Sequence, residues 1–287
     1  MRALIALIAA AFFAFAGQAF AKPPVWTVRD GDSTIMIFGS VHVLPQGLDW
    51  IPPELKQALA KADDVWFELP INPSTELESE RLAQARGLLP EKDTLSAHMS
   101  PEQQQRLQRV ADRLRVHAPA LERMRPWLVE ITLSVIADGQ AGATVTDGVE
   151  QQLEALAPAT ARRRAFETPA QQIEFLAGAS MADQVASLDQ TLTELENEPD
   201  LYQKVLNDWM ASDVAAIQAR VLDPVRYASP TIFARLITTR NERWSRVIAR
   251  RMAGSGETVI VVGMGHLVGP GGVPALLRAK GFTVEGP

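Results

Sequence analysis

The sequence predicts an α/β (or α+β) fold in which the two ends of the chain form a mixed β-sheet core and a large helical region lies between them. Short runs of β-branched and apolar residues, typical of buried strands, occur within 22–73 and 254–287. Over 74–253, apolar residues recur at helical spacing and prolines divide the chain into about seven to nine helices. We expect 22–287 to form one domain.

The first part of the core is predicted to begin with a β-hairpin. Strands at 25–28 and 34–38 flank a polar Asp-Gly turn, which is a common hairpin connection. A short helix at 53–62 then leads to a compact apolar run at 64–69, which we interpret as a buried strand.

The middle of the chain shows amphipathic periodicity, clearest at 102–115. Leu107, Val110 and Leu114 fall on one face of this segment among charged neighbours, as expected of a helix packed on one side. One short strand is predicted near 164–166, within the otherwise helical region.

The last 30 residues return to a strand–helix–strand pattern, with strands at 258–262 and 282–284 and a helix at 273–280. A continuous apolar strand such as 258–262 needs both faces covered, which favours a sheet with helices on each side. Ligands gather at the carboxyl ends of such strands, so functional residues are expected just after them.

The first 21 residues have the pattern of a secretory signal peptide. A positive charge at Arg2 precedes an apolar run at 3–16, and Ala19-Phe20-Ala21 matches a cleavage site. Cleavage after Ala21 predicts a periplasmic or secreted protein that has no membrane span once the signal is removed. The alternative is a retained membrane anchor.

The composition excludes several kinds of site. With 28 Lys and Arg against 34 Asp and Glu, the net charge is −6, and a nucleic-acid partner is not expected. The chain has no cysteine, which excludes disulfides, thiol nucleophiles and cysteine-bound metals. The oligomeric state does not follow from the sequence.

Two G-x-x-H motifs each follow a predicted strand and end at His42 and His266. Their first residues, Gly39 and Gly263, lack a Cβ and let a bound group approach the backbone. Glu68 adds a carboxylate at the end of a third strand. Two imidazoles and a carboxylate on one rim predict a site for a divalent ion such as manganese, cobalt or zinc. The alternatives are ordinary loop histidines and a Glu68 that forms a structural salt bridge.

The run Arg162-Arg163-Arg164 precedes the predicted short strand. We interpret it as a solvated corner, with anion binding as the alternative.

The segments 37–45 and 262–269, which contain the two motifs, resemble those of the TraB/GumN family, which is related to the Tiki proteins. Glu68 stands where that family carries an acidic residue, and Arg240-Asn241 resembles an Arg-Asn pair of the family. The resemblance covers most of 25–285.

Two central segments match weaker motifs of that family. In 147–150, Glu150 stands where the family often has Asp, which puts any role carried over to Glu150 in doubt. The segment 166–168 contains Glu167 and resembles a Leu-Glu-Thr motif in which Phe166 replaces Leu.

The resemblance implies a fold like that of erythromycin-esterase-like and haem-binding ChaN-like proteins, and an activity like that of Tiki members, which are regarded as metal-dependent proteases. The resulting hypothesis is an exported metal-dependent hydrolase, a peptidase among the options, acting on a peptide or a small molecule. His42, Glu68 and His266 would hold the metal ion, and Glu68 would have no fixed positive partner.

Further roles follow from this hypothesis. Arg240 would stabilise an oxyanion or bind a substrate carboxylate, Asn241 would orient a ligand, and Glu167 is the candidate general base. The alternative hypothesis is a non-catalytic binding protein that uses the same cleft for haem, a peptide or a glycan.

Overall fold

The computed structural model describes residues 22–287, so the predicted signal peptide at 1–21 lies outside the described residues. The strands are β1 (Val25–Arg29), β2 (Ser33–Ser40), β3 (Leu44–Pro45), β4 (Asp64–Phe67), β5 (Ala143–Thr144), β6 (Arg162–Ala165), β7 (Gly256–Gly263) and β8 (Val284–Glu285). Among the described residues, no helix is both long and apolar enough to span a membrane.

Helices occupy most of the middle of the chain. They are α1 (Pro53–Lys61), α2 (Pro73–Gly87), α3 (Pro101–Leu114), α4 (Pro126–Gln140), α5 (Val149–Leu156), α6 (Pro169–Ala177), α7 (Met181–Asn197), α8 (Leu201–Met210), α9 (Val214–Ile217), α10 (Asp223–Ala228), α11 (Pro230–Phe233), α12 (Thr239–Met252) and α13 (Val273–Ala279). Many begin with Pro in the first turn, where a missing N–H costs nothing.

The main sheet has six strands in the order β6-β4-β7-β2-β1-β8. The neighbours β6, β4, β7 and β2 are parallel, whereas β1 is antiparallel to both β2 and β8, so the sheet is mixed. The fold is therefore α/β with a large helical part. Strand β7, from the end of the chain, lies between β4 and β2, as a core made from both chain ends requires. The middle region also contributes the edge strand β6.

The central strand β7 is covered on both faces. Val259, Ile260, Val261 and Val262 are each almost fully buried, although successive side chains point to opposite faces of the sheet. They belong to one large apolar core that surrounds the sheet.

A second apolar core lies among the helices α3, α4 and α7. Leu107, Val110 and Leu114 of α3 are buried in it, which confirms the amphipathic face predicted from their spacing. The ends of α3 also follow from its sequence. Ser100 and Gln103 form a reciprocal capping box at its start, and Arg115 adopts a left-handed conformation at its end.

The parallel arrangement places four carboxyl ends at one edge of the sheet. Beyond β2 lies His42, beyond β4 lies Glu68, beyond β6 lies Glu167, and a 3₁₀ turn beyond β7 ends at His266. Backbone hydrogen bonding continues between the two glutamates, because Glu167 N–H donates to Glu68 O at 2.9 Å. This edge therefore brings the predicted site residues together.

Candidate functional site

His42 lies in the loop after β2 and is paired with a carboxylate from α5. Its Nδ1 is 2.7 Å from Glu150 Oε1, and the Ser40 hydroxyl donates to the same oxygen at 2.5 Å. Gly148 makes this approach possible, since a Cβ there would lie 2.1 Å from His42 O. The His42 side chain is 68% exposed, so its ring edge at Nε2 is open to a ligand.

The negative charge of Glu150 raises the pKa of His42 to about 9. Water screens part of this attraction, because the ring is largely exposed. Burial raises the pKa of Glu150, but the His42 cation and the bonds from His42 and Ser40 outweigh it, so the pKa lies below its usual range. At neutral pH the pair is a cationic imidazole held by a carboxylate, and its second N–H, on Nε2, lies close to Gly263.

Arg240 is the centre of a buried charge cluster behind His42. Its Nη2 forms an ion pair with Glu68 Oε2 and lies 2.9 Å from Glu167 Oε2, while its Nε donates to Glu167 Oε1 at 2.9 Å. Glu167 also accepts bonds from Arg243 Nη2 at 2.6 Å and from Trp244 Nε1 at 3.1 Å. The Glu167 side chain is fully buried, and each of its oxygens already accepts a bond.

His266 is buried beside this cluster and is held in one tautomer. Arg240 Nη1 lies 2.9 Å from His266 Nε2, and because a guanidinium only donates, Nε2 must accept. The ring proton is then on Nδ1, which donates to Asn241 Oδ1 at 2.6 Å. Burial lowers the pKa of His266 to about 3, against the pull of Glu68, so the ring is neutral at physiological pH.

Glu68 is ionised despite its burial. Its Oε1 accepts a bond from Gly263 N–H at 2.7 Å, and its Oε2 is bound by Arg240. Burial raises the pKa of this carboxyl, but a proton that His266 gains in acid, the charges of Arg240 and His42, and the Gly263 N–H lower it to about 2. The expectation that Glu68 has no fixed positive partner is wrong, because Arg240 is that partner.

Gly263 marks the point that the predicted ligands surround. A Cβ placed on it would lie 3.1 Å from Glu68 Oε1, 3.6 Å from His42 Nε2 and 3.7 Å from His266 Cδ2. Gly39 has a different role, since a Cβ there would lie 2.2 Å from Met264 Sδ. Gly39 therefore allows β2 to pack against the turn after β7, whereas Gly263 leaves space between the three side chains.

The three predicted metal ligands do not fit a metal ion as they are placed. Arg240 occupies both Glu68 Oε2 and His266 Nε2, and its charge would repel a dication at this point. Across residues 22–287, no group of three or more His, Cys, Asp or Glu side chains is arranged to hold a metal ion. Glu68 Oε1 can accept a further bond, but His42 Nε2 could bind a metal ion only after its ring loses a proton. The metal site stays a prediction that requires Arg240 to move.

The other predicted residues lie in the same cluster but face inward. Arg240 is buried under its two carboxylates, and Asn241 is buried between His266 and Gly271, whose carbonyl oxygen accepts from Asn241 Nδ2 at 2.8 Å. These contacts favour positioning roles over direct contact with a substrate. The oxyanion role of Arg240 and the general-base role of Glu167 stay predictions.

Glu150 is the residue whose importance the sequence did not indicate. The departure of 147–150 from the expected Asp put its role in doubt, yet its carboxylate lies 2.7 Å from the ring of His42. The family motif at 147–150 was the one sequence feature that pointed to Glu150. A longer carboxylate at the same position still reaches the imidazole.

Comparisons with known proteins place the chain in a family. It is 24% identical over 267 residues to a protein from Escherichia coli (strain K12) named "Uncharacterized protein YbaP", with 92% of this chain and 96% of that protein covered. The protein of the same name from Shigella flexneri matches with the same identity and coverage. No solved structure matches the chain. The sequence model described as "TraB/PrgY/gumN family" matches residues 24–286, and the chain therefore belongs to that family.

Proposed function

We propose that the protein is an exported hydrolase in which His42 transfers the protons of the reaction. The observation that carries this proposal is the open imidazole of His42, whose Nδ1 is held by the carboxylate of Glu150 at 2.7 Å. A histidine oriented by a carboxylate, with its other nitrogen free, is the usual arrangement of a general acid–base residue.

The proposed reaction uses Nε2 of His42. The neutral ring takes a proton from a water molecule, whose oxygen attacks the carbonyl carbon of the substrate, and the ring then gives that proton to the leaving group. Glu150 holds the ring in the tautomer that leaves Nε2 unprotonated for the first step and stabilises the cation formed by it. Because Glu150 raises the pKa of His42, this step is faster on the alkaline side of neutral pH.

Arg240, Glu68 and His266 support this site from behind. Arg240 links Glu68 and His266 through two of its nitrogens, and Glu68 in turn accepts from the backbone of Gly263. This chain of bonds fixes the wall that faces His42 Nε2. These residues are positioning residues in the proposed reaction.

The substrate class is a peptide or another small molecule with a hydrolysable carbonyl group. The family resemblance to Tiki proteins supports a peptide, and the signal-peptide pattern at 1–21 supports a reaction outside the cytoplasm. The net charge of −6 does not favour a nucleic acid.

The test is hydrolysis of a fluorogenic peptide library and of p-nitrophenyl esters by the purified protein. We expect turnover that His42→Ala lowers by about 10²–10⁴-fold. The matched control is His117→Ala, because His117 is an exposed histidine outside this cluster. Absence of turnover by the wild type, or equal turnover by His42→Ala, would contradict the proposal.

The same assay distinguishes metal-dependent hydrolysis from hydrolysis by the His42–Glu150 pair alone. Activity that persists in EDTA supports proton transfer by the His42–Glu150 pair alone. Activity that EDTA abolishes and manganese, cobalt or zinc restores would mean that Arg240 gives way to an ion. Saturable binding of a peptide, glycan or haem that leaves the ligand intact would support the binding protein instead, and haem would show a Soret band that His42→Ala alters.

A further inference from the structure

A cleft lies at the amino edge of the sheet, where the parallel strands begin and opposite to His42. Its volume is about 420 Å³, within the usual range for small-molecule sites. The side chains that matter here are those of Asp64, Trp66, Arg162, Arg164, Arg250 and Arg251. Asp64 and Arg162 are the first residues of β4 and β6, and the two later arginines end α12.

One buried carboxylate holds three of these arginines. Arg162 binds Asp64 in a bidentate manner, with two distances of 2.8 Å, and Arg164 Nε lies 3.3 Å from Asp64 Oδ1. Arg251 Nη2 lies 3.4 Å from Asp64 Oδ2. Hydrogen bonds from Arg162 lead the effects that lower the pKa of Asp64, so the carboxyl stays ionised. One negative charge thus faces three positive charges, and Arg250 adds a fourth.

The neighbouring acid Asp63 does not remove this excess. Asp63 precedes Asp64, and its carboxylate accepts from the backbone N–H of Glu257 at 2.8 Å. Counting Asp63 against the four arginines still leaves the cleft positive. The chain as a whole carries a net charge of −6, so this positive excess is local.

Two donors beside the cleft form no hydrogen bond within the described residues. Arg251 Nη2 has only its 3.4 Å ion pair with Asp64 Oδ2, and the indole N–H of Trp66 has no polar partner. Buried donors without a partner are rare and call for a ligand, ion or water. The side chains of Arg162 and Arg164 are 62% and 51% exposed, so their remaining N–H groups are available at the mouth of the cleft.

The positions of the arginines show which of them have a structural role at a helix end and which remain for ligand binding. Arg250 and Arg251 stand in the last turn of α12, where basic residues commonly balance the helix dipole. Arg162 and Arg164 stand on an edge strand and have no such role. Alternation along β6 directs both to the same face of the sheet as Asp64 and Trp66, while Arg163 points away and binds Glu154 at 2.9 Å.

We propose that this cleft binds the phosphate group of a phosphate ester. A planar guanidinium pairs with two oxygens of a phosphate at once, and several of them match a dianion better than a single carboxylate ligand. Asp64 acts as an internal scaffold that holds the guanidinium groups apart and oriented. The phosphate comes either from a soluble phosphorylated molecule or from a phospholipid headgroup. This site is separate from the chemistry at His42.

The experiment measures binding of phosphate itself at constant ionic strength. Isothermal titration with inorganic phosphate and with glycerol 3-phosphate is carried out on the wild type, on Arg164→Gln/Arg250→Gln and on Arg81→Gln. The double variant removes two guanidinium groups but keeps the Arg162–Asp64 pair that supports the fold. Arg81 is an exposed arginine of α2 and serves as the control. A parallel arm measures cosedimentation with vesicles of phosphatidylcholine, with and without phosphatidylglycerol.

We expect saturable phosphate binding that the double variant weakens by about tenfold or more, with Arg81→Gln unchanged. Preference for glycerol 3-phosphate without vesicle binding assigns a soluble ligand. Cosedimentation with phosphatidylglycerol that the double variant loses assigns a lipid headgroup. The proposal is overturned if the wild type shows no saturable binding in either arm, or if the double variant binds as well as the wild type. A circular dichroism spectrum matching the wild type shows that the double variant is folded.

Discussion

The two edges of the sheet use the same residue types in opposite proportions. At the carboxyl edge, the buried Arg240 is shared by two buried glutamates, Glu68 and Glu167. At the amino edge, the buried Asp64 is shared by three arginines. At the carboxyl edge, Arg240 and both glutamates are buried. At the amino edge, Asp64 is buried but the side chains of Arg162 and Arg164 reach the solvent.

The two clusters differ in the balance of their charges. At the carboxyl edge Arg243 also binds Glu167, so two guanidinium groups meet two carboxylates and the charges balance. A balanced, desolvated cluster creates little attraction for a further ion but is costly to break. An unbalanced cluster at the surface is cheaper to alter and attracts an ion of the opposite sign. The first edge is therefore a rigid framework and the second a binding surface.

The largest expected effect comes from removing the shared ion at the carboxyl edge. Arg240→Met would leave Glu68 and Glu167 buried with one guanidinium between them, so we expect the free energy of unfolding to fall by about 3–5 kcal/mol. The matched change at the amino edge, Arg164→Gln, should cost less than about 1 kcal/mol, because half of that side chain is exposed. Urea denaturation measures both. Equal losses of unfolding free energy in the two variants would contradict a rigid carboxyl edge and an easily altered amino edge.

The next effect is the acid sensitivity that Glu68 confers. Its pKa falls from 4.5 to about 2 on folding, so ionised Glu68 stabilises the protein above pH 4.5, and this contribution is lost as the pH falls towards 2. We expect Glu68→Gln to be less stable than the wild type at pH 7 by roughly 3 kcal/mol, with the two converging near pH 2. Thermal unfolding across this pH range measures the difference. A gap that widens on acidification would contradict the ion pair with Arg240.

Gly263→Ala tests whether the space between Glu68, His42 and His266 is needed for hydrolysis while the charge cluster around it stays in place. Gly263 has a φ of −49°, which alanine adopts without strain, so the cost in stability should come from the 3.1 Å approach of the new Cβ to Glu68 Oε1 and stay at about 1–2 kcal/mol. The new methyl group would lie among Glu68, His42 and His266, and hydrolysis should fall by about tenfold or more. The control is Gly31→Ala, where a Cβ would have no neighbour within 4 Å. Unchanged turnover in Gly263→Ala would place the reaction elsewhere.

The smallest expected effect concerns the exposed pair. In Glu150→Gln the pKa of His42 should fall from about 9 towards 6.5, as followed by NMR of the imidazole protons. Because the folded pKa is raised, the pair stabilises the wild type below pH 6.5, and this contribution is lost as the pH rises towards 9. Glu154→Gln, on the same helix, is the control. An unshifted titration in Glu150→Gln would mean that solvent already screens the pair completely.

Much of the fold follows from local patterns in the sequence. The apolar runs at 258–262 and 64–69 correctly located β7 and β4, and an apolar spacing of three to four residues located α3. The strand predicted near 164–166 forms at Arg162–Ala165, so the interpretation of Arg162-Arg163-Arg164 as a corner before that strand is wrong. The pairing of β6 with β4 depends on which strands meet in space, which local patterns do not show. The arginines of β6 also lack the apolar residues that mark a core strand.

The site was predictable where it depends on strand ends and not where it depends on charge partners. His42, Glu68 and His266 each follow a strand, so their approach to one point follows from the topology. Arg240 lies on a helix rich in arginine, and only the family resemblance distinguishes it from the others, without indicating its partners. Its two carboxylates come from segments far away in the chain. Glu150 reaches His42 across 108 positions for the same reason.

The central place of β7 has a consequence for the order in which the molecule can fold. Ile260 pairs with Ile37, about 220 residues earlier, and with Trp66 on its other side. During synthesis, β2 and β4 therefore have no neighbour on their inner edges until nearly the whole chain has been made. The helices around α3, α4 and α7 have their own apolar core and can assemble before that. We expect late insertion of β7 to complete the sheet and to bring His266 and the Gly263 N–H to Arg240 and Glu68 only at that stage.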